Sequence, residues 1–186
     1  MPVIKTGFPD LLIIEPVVYG DDRGYFFESY NEKTFSKENI TIRFIQDNQA
    51  RSVYGVVRGL HFQENPHAQT KLIRVLEGVI CDVVVDLRKN SPSFGKVFTI
   101  ELSAENKKQL LVPKGFAHGY SVLSEIAEVF YKCDEFYHKE CEGSVLFSDP
   151  YLNIDWRIPT EKMILSSKDL ASPPFHISKH NFLFER

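Results

Sequence analysis

The sequence lacks the motifs that mark the large classes of nucleotide-binding and hydrolytic enzymes. It has no G-x-G-x-x-G sequence after a predicted strand and no Walker loop. No serine lies in a G-x-S-x-G sequence, and no cysteine lies at the predicted start of a helix. These absences leave acid–base chemistry, carried by polar side chains set among apolar strands, as the expected mode of catalysis.

Cysteine is also rare. Cys81, Cys133 and Cys141 are odd in number and form no Cys-x-x-Cys sequence. This pattern argues against a disulfide framework and against a zinc site. We expect reduced thiols in a cytoplasmic protein.

The chain has neither an excess of positive charge nor a long apolar run. Its formal net charge is −3, so it has no general attraction to nucleic acid or to an anionic membrane. Lys5, Asp10 and Glu15 interrupt the N-terminus, where a signal peptide needs a continuous apolar region. We expect a soluble, untargeted protein with no nucleic-acid or membrane partner.

The length and composition favour one domain. A chain of 186 residues with 43% hydrophobic content can fill one core, so we expect a single domain over residues 1–186. Short apolar segments recur between turn-forming residues, which is typical of strands. These segments are 11–18, 25–30, 43–48, 55–63, 70–77, 79–87, 97–102, 109–112, 120–123 and 127–135. This spacing predicts a sandwich or barrel of antiparallel strands.

Helices are predicted to be few and short. Asn31 is a suitable N-cap for a helix that runs through Glu38. A C-terminal wrap is expected over residues 150–186, because prolines interrupt its first part. Residues 150–174 are expected to be irregular or short-helical, and residues 175–186 to be loosely held.

The predicted strand at 55–63 contains an unusual combination of residues. Arg58, Gly59 and His61 lie there between β-branched and aromatic residues. Strict alternation would place Arg58 and His61 on opposite faces, whereas one extra residue at Gly59 would turn both to the same side. We therefore predict a β-bulge at Gly59. The alternative is an Arg58 that faces solvent and a His61 that is hydrogen-bonded in the core.

Other polar residues in apolar strands have two interpretations each. Lys71 shares a face with Ile73 and Val75, so it lies either at the rim or at a site for an oxyanion. His118 either caps a turn or takes part in chemistry, and Tyr131 is either a core residue or a functional one. The full set of candidates is Gln46, Asn48, Arg58, His61, Lys71, Arg74, Asp82, His118 and Tyr131.

A bound metal is the rival explanation for two histidines in a barrel. Metal-binding barrels of this type carry a His-x-His pair, but the residue two positions after His61 is Gln63. His67 lies beyond Pro66 in a predicted loop. With only His61 and His118 left, three or four ligands are hard to assemble, so we predict a site without metal.

Eight short blocks of the sequence, taken together, are distinctive. They are Asp22-Arg23-Gly24-Tyr25-Phe26, Gln46-Asp47-Asn48, Arg58-Gly59-Leu60-His61-Phe62-Gln63, Lys71-Leu72, Val85-Asp86-Leu87-Arg88, Pro113-Lys114-Gly115-Phe116-Ala117-His118-Gly119, Tyr131-Lys132 and Ser167-Lys168-Asp169. In this order they resemble the dTDP-4-dehydrorhamnose 3,5-epimerases, and the resemblance covers about residues 11–169. Many relatives carry glycine before the lysine, where this chain has Thr70; we expect a small change in loop shape and no loss of activity.

The resemblance implies an all-β fold of the cupin type. This fold is an antiparallel jelly-roll barrel with a few short helices, mainly in the N-terminal third and at the C-terminus. It also implies a homodimer that exchanges N-terminal strands within residues 1–30, no cofactor, and a dTDP-linked 4-keto-6-deoxyhexose as substrate.

The resemblance further implies catalytic roles. His61 resembles the general base that removes a proton next to the ketone, and Asp169 resembles the carboxylate that orients it. Tyr131 is similar to the acid that returns a proton to the opposite face. Lys71 matches a position that stabilises the enolate, and His118 adds to the same polar ring.

Substrate-binding residues are implied in the same way. Contacts to the diphosphate or nucleotide are expected from Arg23, Arg58 and Lys168. Contacts that fix the base and the sugar are expected from Glu28, Gln46, Asn48 and Glu142. Tyr137 is a further candidate to stack on the thymine, because it follows the strand that carries Tyr131 and because aromatic rings stack on bases in general. Because N-terminal strands cross over in the family, Arg23 and Glu28 are expected to reach the neighbouring subunit.

The leading hypothesis is therefore an epimerase that acts at C3 and C5 of dTDP-4-dehydro-6-deoxy-D-glucose. One alternative is a 3- or 5-monoepimerase of a related nucleotide-linked sugar, which would use the same His61 and Tyr131. Two others are a non-catalytic cupin that binds nucleotide sugars and a metal-dependent enzyme of the same fold.

Overall fold

The computed structural model describes residues 2–184, which form mainly antiparallel strands. The strands are β1 (Val3–Lys5), β2 (Leu12–Ile14), β3 (Tyr19–Asp21), β4 (Gly24–Phe26), β5 (Gln46–Val53), β6 (Val57–Gln63), β7 (Lys71–Glu77), β8 (Val79–Asp86), β9 (Val97–Ser103), β10 (Gln109–Val112), β11 (Phe116–Val122), β12 (Ile126–Cys133) and β13 (Glu142–Ser144). The helices are α1 (Glu32–Lys37) and α2 (Ser167–Leu170), with 3₁₀ turns at Lys139–Cys141 and Thr160–Lys162. The predicted all-β class with few short helices is confirmed. No helix among the described residues is long and apolar enough to cross a membrane.

Two sheets enclose the main core. One has the strand order β1-β2-β10-β7-β12-β5, and the other has the order β13-β6-β11-β8-β9. A cluster of buried side chains draws on both sheets, including Ile73 from β7, Val84 from β8 and Val129 from β12. Because β8 also contributes Val83 and Val85 to a second cluster on its other face, its sequence is almost continuously apolar.

The outer faces of the two sheets are covered differently. Helix α1 places Phe35 against Leu72 and Leu111 on the outer face of the six-stranded sheet. The helix begins as predicted, because the side-chain oxygen of Asn31 accepts hydrogen bonds from the backbone N–H groups of Lys33 and Thr34.

The C-terminal segment covers the other sheet, and the prediction that residues 175–186 are loosely held is wrong for the described part. Phe182 is 3% exposed and packs edge-on against Phe62, with ring centroids 5.8 Å apart. The backbone N–H of Lys89 donates to the carbonyl of Phe182, and the N–H of Phe184 donates to the carbonyl of Lys89. The outer face of this sheet is apolar, so covering it stabilises the fold.

Several predicted strand bounds are also wrong. The strand predicted at 43–48 lies at Gln46–Val53 instead. It is an edge strand whose alternate residues are exposed, so its sequence is too polar to show the apolar pattern of a strand. The segment predicted at 11–18 shortens to Leu12–Ile14, ahead of Pro16. The aromatic segment predicted at 25–30 forms only Gly24–Phe26, paired with Tyr19–Asp21 in a separate hairpin.

The predicted bulge at Gly59 is confirmed. His61 pairs with His118 on β11, and Arg58 pairs with Tyr120, so two residues of β6 oppose one residue of β11. Gly59 has a φ of +114°, and a Cβ there would lie 2.6 Å from the Cα of Gly119. The close approach of the two strands therefore requires glycine.

We expect Gly59→Ala to destabilise the fold and to displace β6 from β11. The left-handed backbone alone costs about 1–3 kcal/mol for a residue with a Cβ, and the contact with the Gly119 backbone adds to this cost. Chemical denaturation would measure the loss. Gly20→Ala is the matched control, because its Cβ would meet only one atom, at 3.7 Å, and should change the free energy of unfolding little. Equal stability of the two variants would contradict the proposed constraint.

Candidate active site

One cavity of about 550 Å³ brings most of the predicted catalytic residues together. It is lined by Ala50, Val56, Val57, Arg58, His61, Lys71, His118, Gly119, Tyr120, Tyr131, Ile164, Leu165, Ser166, Lys168 and Asp169. Arg58 and His61 reach it from β6, Lys71 from β7 and Tyr131 from β12, whereas Asp169 comes from α2. The bulge thus turns both polar residues of β6 toward one space.

His61 is held by a carboxylate from a distant part of the chain. Its Nε2 lies 2.6 Å from Oδ1 of Asp169, which is 4% exposed. The hydroxyl of Ser166 donates to Oδ2 of Asp169 at 2.9 Å and accepts from the Asp169 N–H at 3.1 Å. This role of Ser166 was missed in the sequence, although Ser166-x-x-Asp169 is the spacing of a capping box.

The surroundings of His61 favour its neutral form. Burial lowers the pKa of the imidazole below its ordinary value, the charge and hydrogen bond of Asp169 raise it, and Lys71 and Lys168 lower it. The net result is a pKa below 6.5, so the ring remains a neutral base to a lower pH than a free histidine. The bond to Asp169 occupies Nε2 and leaves Nδ1 as the ring nitrogen that can accept a proton.

Tyr131 and Lys71 lie side by side in the same cavity. The Lys71 Nζ is 6.0 Å from the centroid of the Tyr131 ring. Burial raises the pKa of Tyr131 to about 12, so its hydroxyl keeps its proton at neutral pH. Burial also lowers the pKa of Lys71, whereas the nearby Cys133, Asp82 and Glu142 raise it. Lys71 thus lies in the cavity and not at an exposed rim.

His118 is part of a second histidine–carboxylate pair. Its Nε2 lies 2.9 Å from Oδ2 of Asp82, and Asp82 is completely buried. The two residues lie on adjacent strands, where His118 pairs with Val84 and Tyr120 pairs with Asp82, so they are diagonal neighbours on one face. Asp82 was a polar candidate in the sequence, but no local pattern indicated its partner.

A chain of polar contacts leads away from Lys168, one of the residues that line the cavity. The side chain of Gln46 donates to Asn48 at 3.2 Å and accepts from the Tyr137 N–H at 3.1 Å. The Tyr137 hydroxyl donates to Glu142 at 3.0 Å, and Lys168 donates to the same carboxylate at 2.5 Å. Because Lys168 also lines the cavity, this network continues the site outward.

Arg23 and Glu28 do not line the cavity of their own chain. Arg23 lies in the exposed β3–β4 hairpin and pairs with Asp21, with Nη2 and Oδ2 2.5 Å apart. Glu28 accepts a hydrogen bond from the side chain of Asn31 at 2.8 Å. Arg74 also lies elsewhere, with its guanidinium over the rings of Phe27 and Phe130.

Comparison with known proteins gives a consistent result. Residues 5–176 match a family model described as dTDP-4-dehydrorhamnose 3,5-epimerase. The chain is 51% identical over 176 residues to the enzyme of that name from Shigella flexneri, covering 94% of this chain and 96% of the relative. A crystal structure of such an epimerase from Elizabethkingia anophelis NUHP1 is 57% identical, with a TM-score of 0.90 and coverage of 95% and 97%. A structure from Legionella pneumophila Philadelphia 1, in complex with dTDP-4-keto-L-rhamnose, is 47% identical, with a TM-score of 0.90 and coverage of 95% and 93%.

We expect the imidazole of His61 to titrate with a pKa below 6.5 in the free protein. Replacement of Asp169 by Asn should lower that pKa further, because the carboxylate stabilises the protonated ring. NMR titration of the histidine ring protons would measure both values. A pKa that rises in Asp169→Asn would contradict the described electrostatics.

Proposed function

The chain belongs to the dTDP-4-dehydrorhamnose 3,5-epimerase family of isomerases, and on that premise we propose that it inverts C3 and C5 of dTDP-4-dehydro-6-deoxy-D-glucose to give dTDP-4-dehydro-L-rhamnose. One observation supports the proposal most directly. A neutral imidazole held by a carboxylate and a protonated phenol line the same cavity, with a lysine beside the phenol. Proton removal and return next to a ketone need these groups.

His61 acts as the base. Its unoccupied ring nitrogen removes the proton from the carbon next to the C4 ketone, and Asp169 stabilises the imidazolium that forms. Ser166 holds the second oxygen of Asp169, so the carboxylate has a fixed orientation. The lowered pKa of His61 keeps the base neutral at working pH.

Lys71 stabilises the negative charge that develops on the ketone oxygen. An ammonium group in a partly buried cavity interacts with an enolate more strongly than it would in bulk solvent. His118 lies in the same cavity and is oriented by Asp82. Both residues thus support the transition state more than the neutral substrate.

Tyr131 returns the proton. With a pKa of about 12, the phenol is fully protonated at neutral pH and donates to the strongly basic carbanion of the enolate. Inversion requires this donor to face the side of the sugar opposite His61.

The nucleotide lies toward the mouth of the cavity. Arg58 and Lys168 line the cavity and supply cations for the diphosphate, because the net charge of −3 provides no general attraction for an anion. Gln46, Asn48 and Glu142 offer hydrogen bonds to the base and the sugar, and Tyr137 offers an exposed ring for stacking. The ligand bound in the Legionella relative supports this assignment of substrate.

We further propose a homodimer in which the β3–β4 hairpin completes the partner's site. The hairpin pairs with neither main sheet, and it exposes Tyr19, Tyr25 and Phe26 by more than 60% each. An exposed aromatic surface of this kind is typical of an interface. Arg23 lies on this hairpin, outside the cavity of its own chain.

Deuterium exchange separates the roles of the base and the acid. In heavy water with dTDP-4-dehydro-6-deoxy-D-glucose, we expect wild type to incorporate label at C3 and C5 with inversion. His61→Ala should lower both exchange and inversion by roughly 100-fold or more, because the proton is no longer removed. Tyr131→Phe should retain exchange, since His61 can return a deuteron to the same face, and should lose inversion. NMR of the sugar protons measures both quantities.

Two controls accompany this experiment. Tyr151→Phe changes an exposed tyrosine outside the cavity and should behave like wild type. The affinity of His61→Ala for dTDP, measured by calorimetry, should equal that of wild type. This result would show that the variant keeps its fold and its nucleotide site. Wild-type exchange in His61→Ala would refute the assigned base, and label at C3 alone in wild type would indicate a monoepimerase.

Mixed dimers test the shared site. We expect Arg23→Ala and His61→Ala each to lose most activity alone. After random re-association, the mixture should recover about a quarter of wild-type activity, because half of the dimers are mixed and one of their two sites carries both native residues. Steady-state assays of separately purified and co-refolded variants measure this recovery. No recovery would indicate that Arg23 serves its own chain.

A further inference from the structure

A cluster of metal-binding side chains lies outside the cavity. His67, Glu135 and His138 each offer a ligand atom, and these three atoms lie within 4.8 Å of one another. His67 belongs to the loop after β6, and the other two belong to the loop after β12. The two imidazole rings stack with their centroids 3.5 Å apart and an interplanar angle of 16°. None of the three residues lines the cavity.

A buried amide fixes the two loops to each other. The side-chain nitrogen of Gln63, a residue that is 5% exposed, donates to the carbonyl of His67 at 2.7 Å and to that of Phe136 at 3.1 Å. Its oxygen accepts from the N–H of His138 at 2.6 Å. The backbones that carry the ligands are therefore held in place before any ion binds, which lowers the entropic cost of binding.

Each of the three side chains has a donor atom that makes no hydrogen bond among the described residues. The Nδ1 of His138 lies 3.0 Å from Oε1 of Glu140, a carboxylate–histidine contact that leaves Nε2 free with its lone pair exposed. The Nδ1 of His67 is buried and has no hydrogen-bond partner among the described residues. Glu135 uses Oε1 to accept from the N–H of Phe136 at 2.8 Å, and its other oxygen makes no described bond.

We propose that His67, Glu135 and His138 bind a divalent first-row transition ion, with Zn²⁺ as the best match. Two imidazoles and one carboxylate suit Zn²⁺, Co²⁺ or Ni²⁺, whereas Mg²⁺ and Ca²⁺ prefer oxygen ligands alone. Tetrahedral zinc with bonds near 2.1 Å places its ligand atoms about 3.4 Å apart, so the side chains must close by at most about 1.4 Å and one ring must turn out of the stack. A water molecule would complete the coordination.

The ion would join the loop after β6 to the loop that carries Tyr137. Residues 134–141 connect the catalytic strand β12 to β13, and Glu142 at the start of β13 bonds to Tyr137. Metal binding would therefore stabilise the loop at the nucleotide end of the site. It would leave the proton-transfer residues unchanged, because none of them is a ligand.

Zinc binding to the full-length, chelator-treated protein tests the proposal. We expect calorimetry and elemental analysis after dialysis to give one Zn²⁺ per chain, and Mg²⁺ to give no binding. His138→Ala and Glu135→Gln should each weaken zinc affinity by more than about tenfold, and Glu140→Gln, which removes only the negative charge beside Nδ1, by about tenfold. The matched control is His176→Ala, an exposed histidine outside the cluster, which should bind zinc like wild type.

Two further measurements keep the test independent of folding and of catalysis. Zn²⁺ should raise the melting temperature of wild type and of His176→Ala but not of His138→Ala. Co²⁺ should give the strong visible absorption of a four-coordinate ion only where the cluster is intact. Unchanged zinc affinity in a folded His138→Ala variant, or loss of binding in His176→Ala, would overturn the assignment whatever the outcome of the epimerase assays.

Discussion

The contact between His61 and Asp169 is the interaction on which the site depends. It joins the middle of a barrel strand to a short helix 108 residues later in the chain. Backbone hydrogen bonds hold the start of β6 next to the segment that precedes α2. The N–H of Val57 donates to the carbonyl of Ile164, and the N–H of Ile164 donates to the carbonyl of Gly55. The C-terminal wrap is thus part of the active site as well as a cover for the apolar sheet.

Burial favours the neutral forms of both His61 and Tyr131, which suits them to opposite proton-transfer roles in the proposed reaction. Loss of solvent disfavours the charged form of each group, so it lowers the pKa of His61 and raises that of Tyr131. The imidazole is then an unprotonated base and the phenol a protonated acid at the same neutral pH. In the proposed reaction, Asp169 limits the cost of the imidazolium charge and Lys71 limits the cost of the enolate charge.

The main sheets and the segments at their edges have different roles in the proposed reaction. The proposed proton-transfer residues lie on β6 and β12, in the interior of the two main sheets, whereas most of the proposed nucleotide contacts lie on the edge strand β5, on the loop after β12, on β13 and on α2. This division places the atoms that need accurate geometry on the best-supported backbone. The exposed β3–β4 hairpin leaves the single chain with an aromatic surface that a second copy would cover.

The sequence by itself determined the elements that depend on neighbouring residues. The cap at Asn31, the bulge at Gly59 and the all-β class follow from local hydrogen bonding, from glycine conformation and from the spacing of apolar segments. Through their resemblance to one family, the ordered motifs also indicated seven of the fifteen residues that line the cavity. The cap and the bulge could be predicted because each depends on a short stretch of chain.

Only the tertiary structure decided which distant residues meet. It paired Asp82 with His118, placed Ser166 behind Asp169, buried Phe182 against Phe62 and stacked the rings of His67 and His138. Strand pairing and core packing bring these residues together across long separations, and no local periodicity records such contacts. The strength of each contact comes from burial, which a linear sequence cannot show.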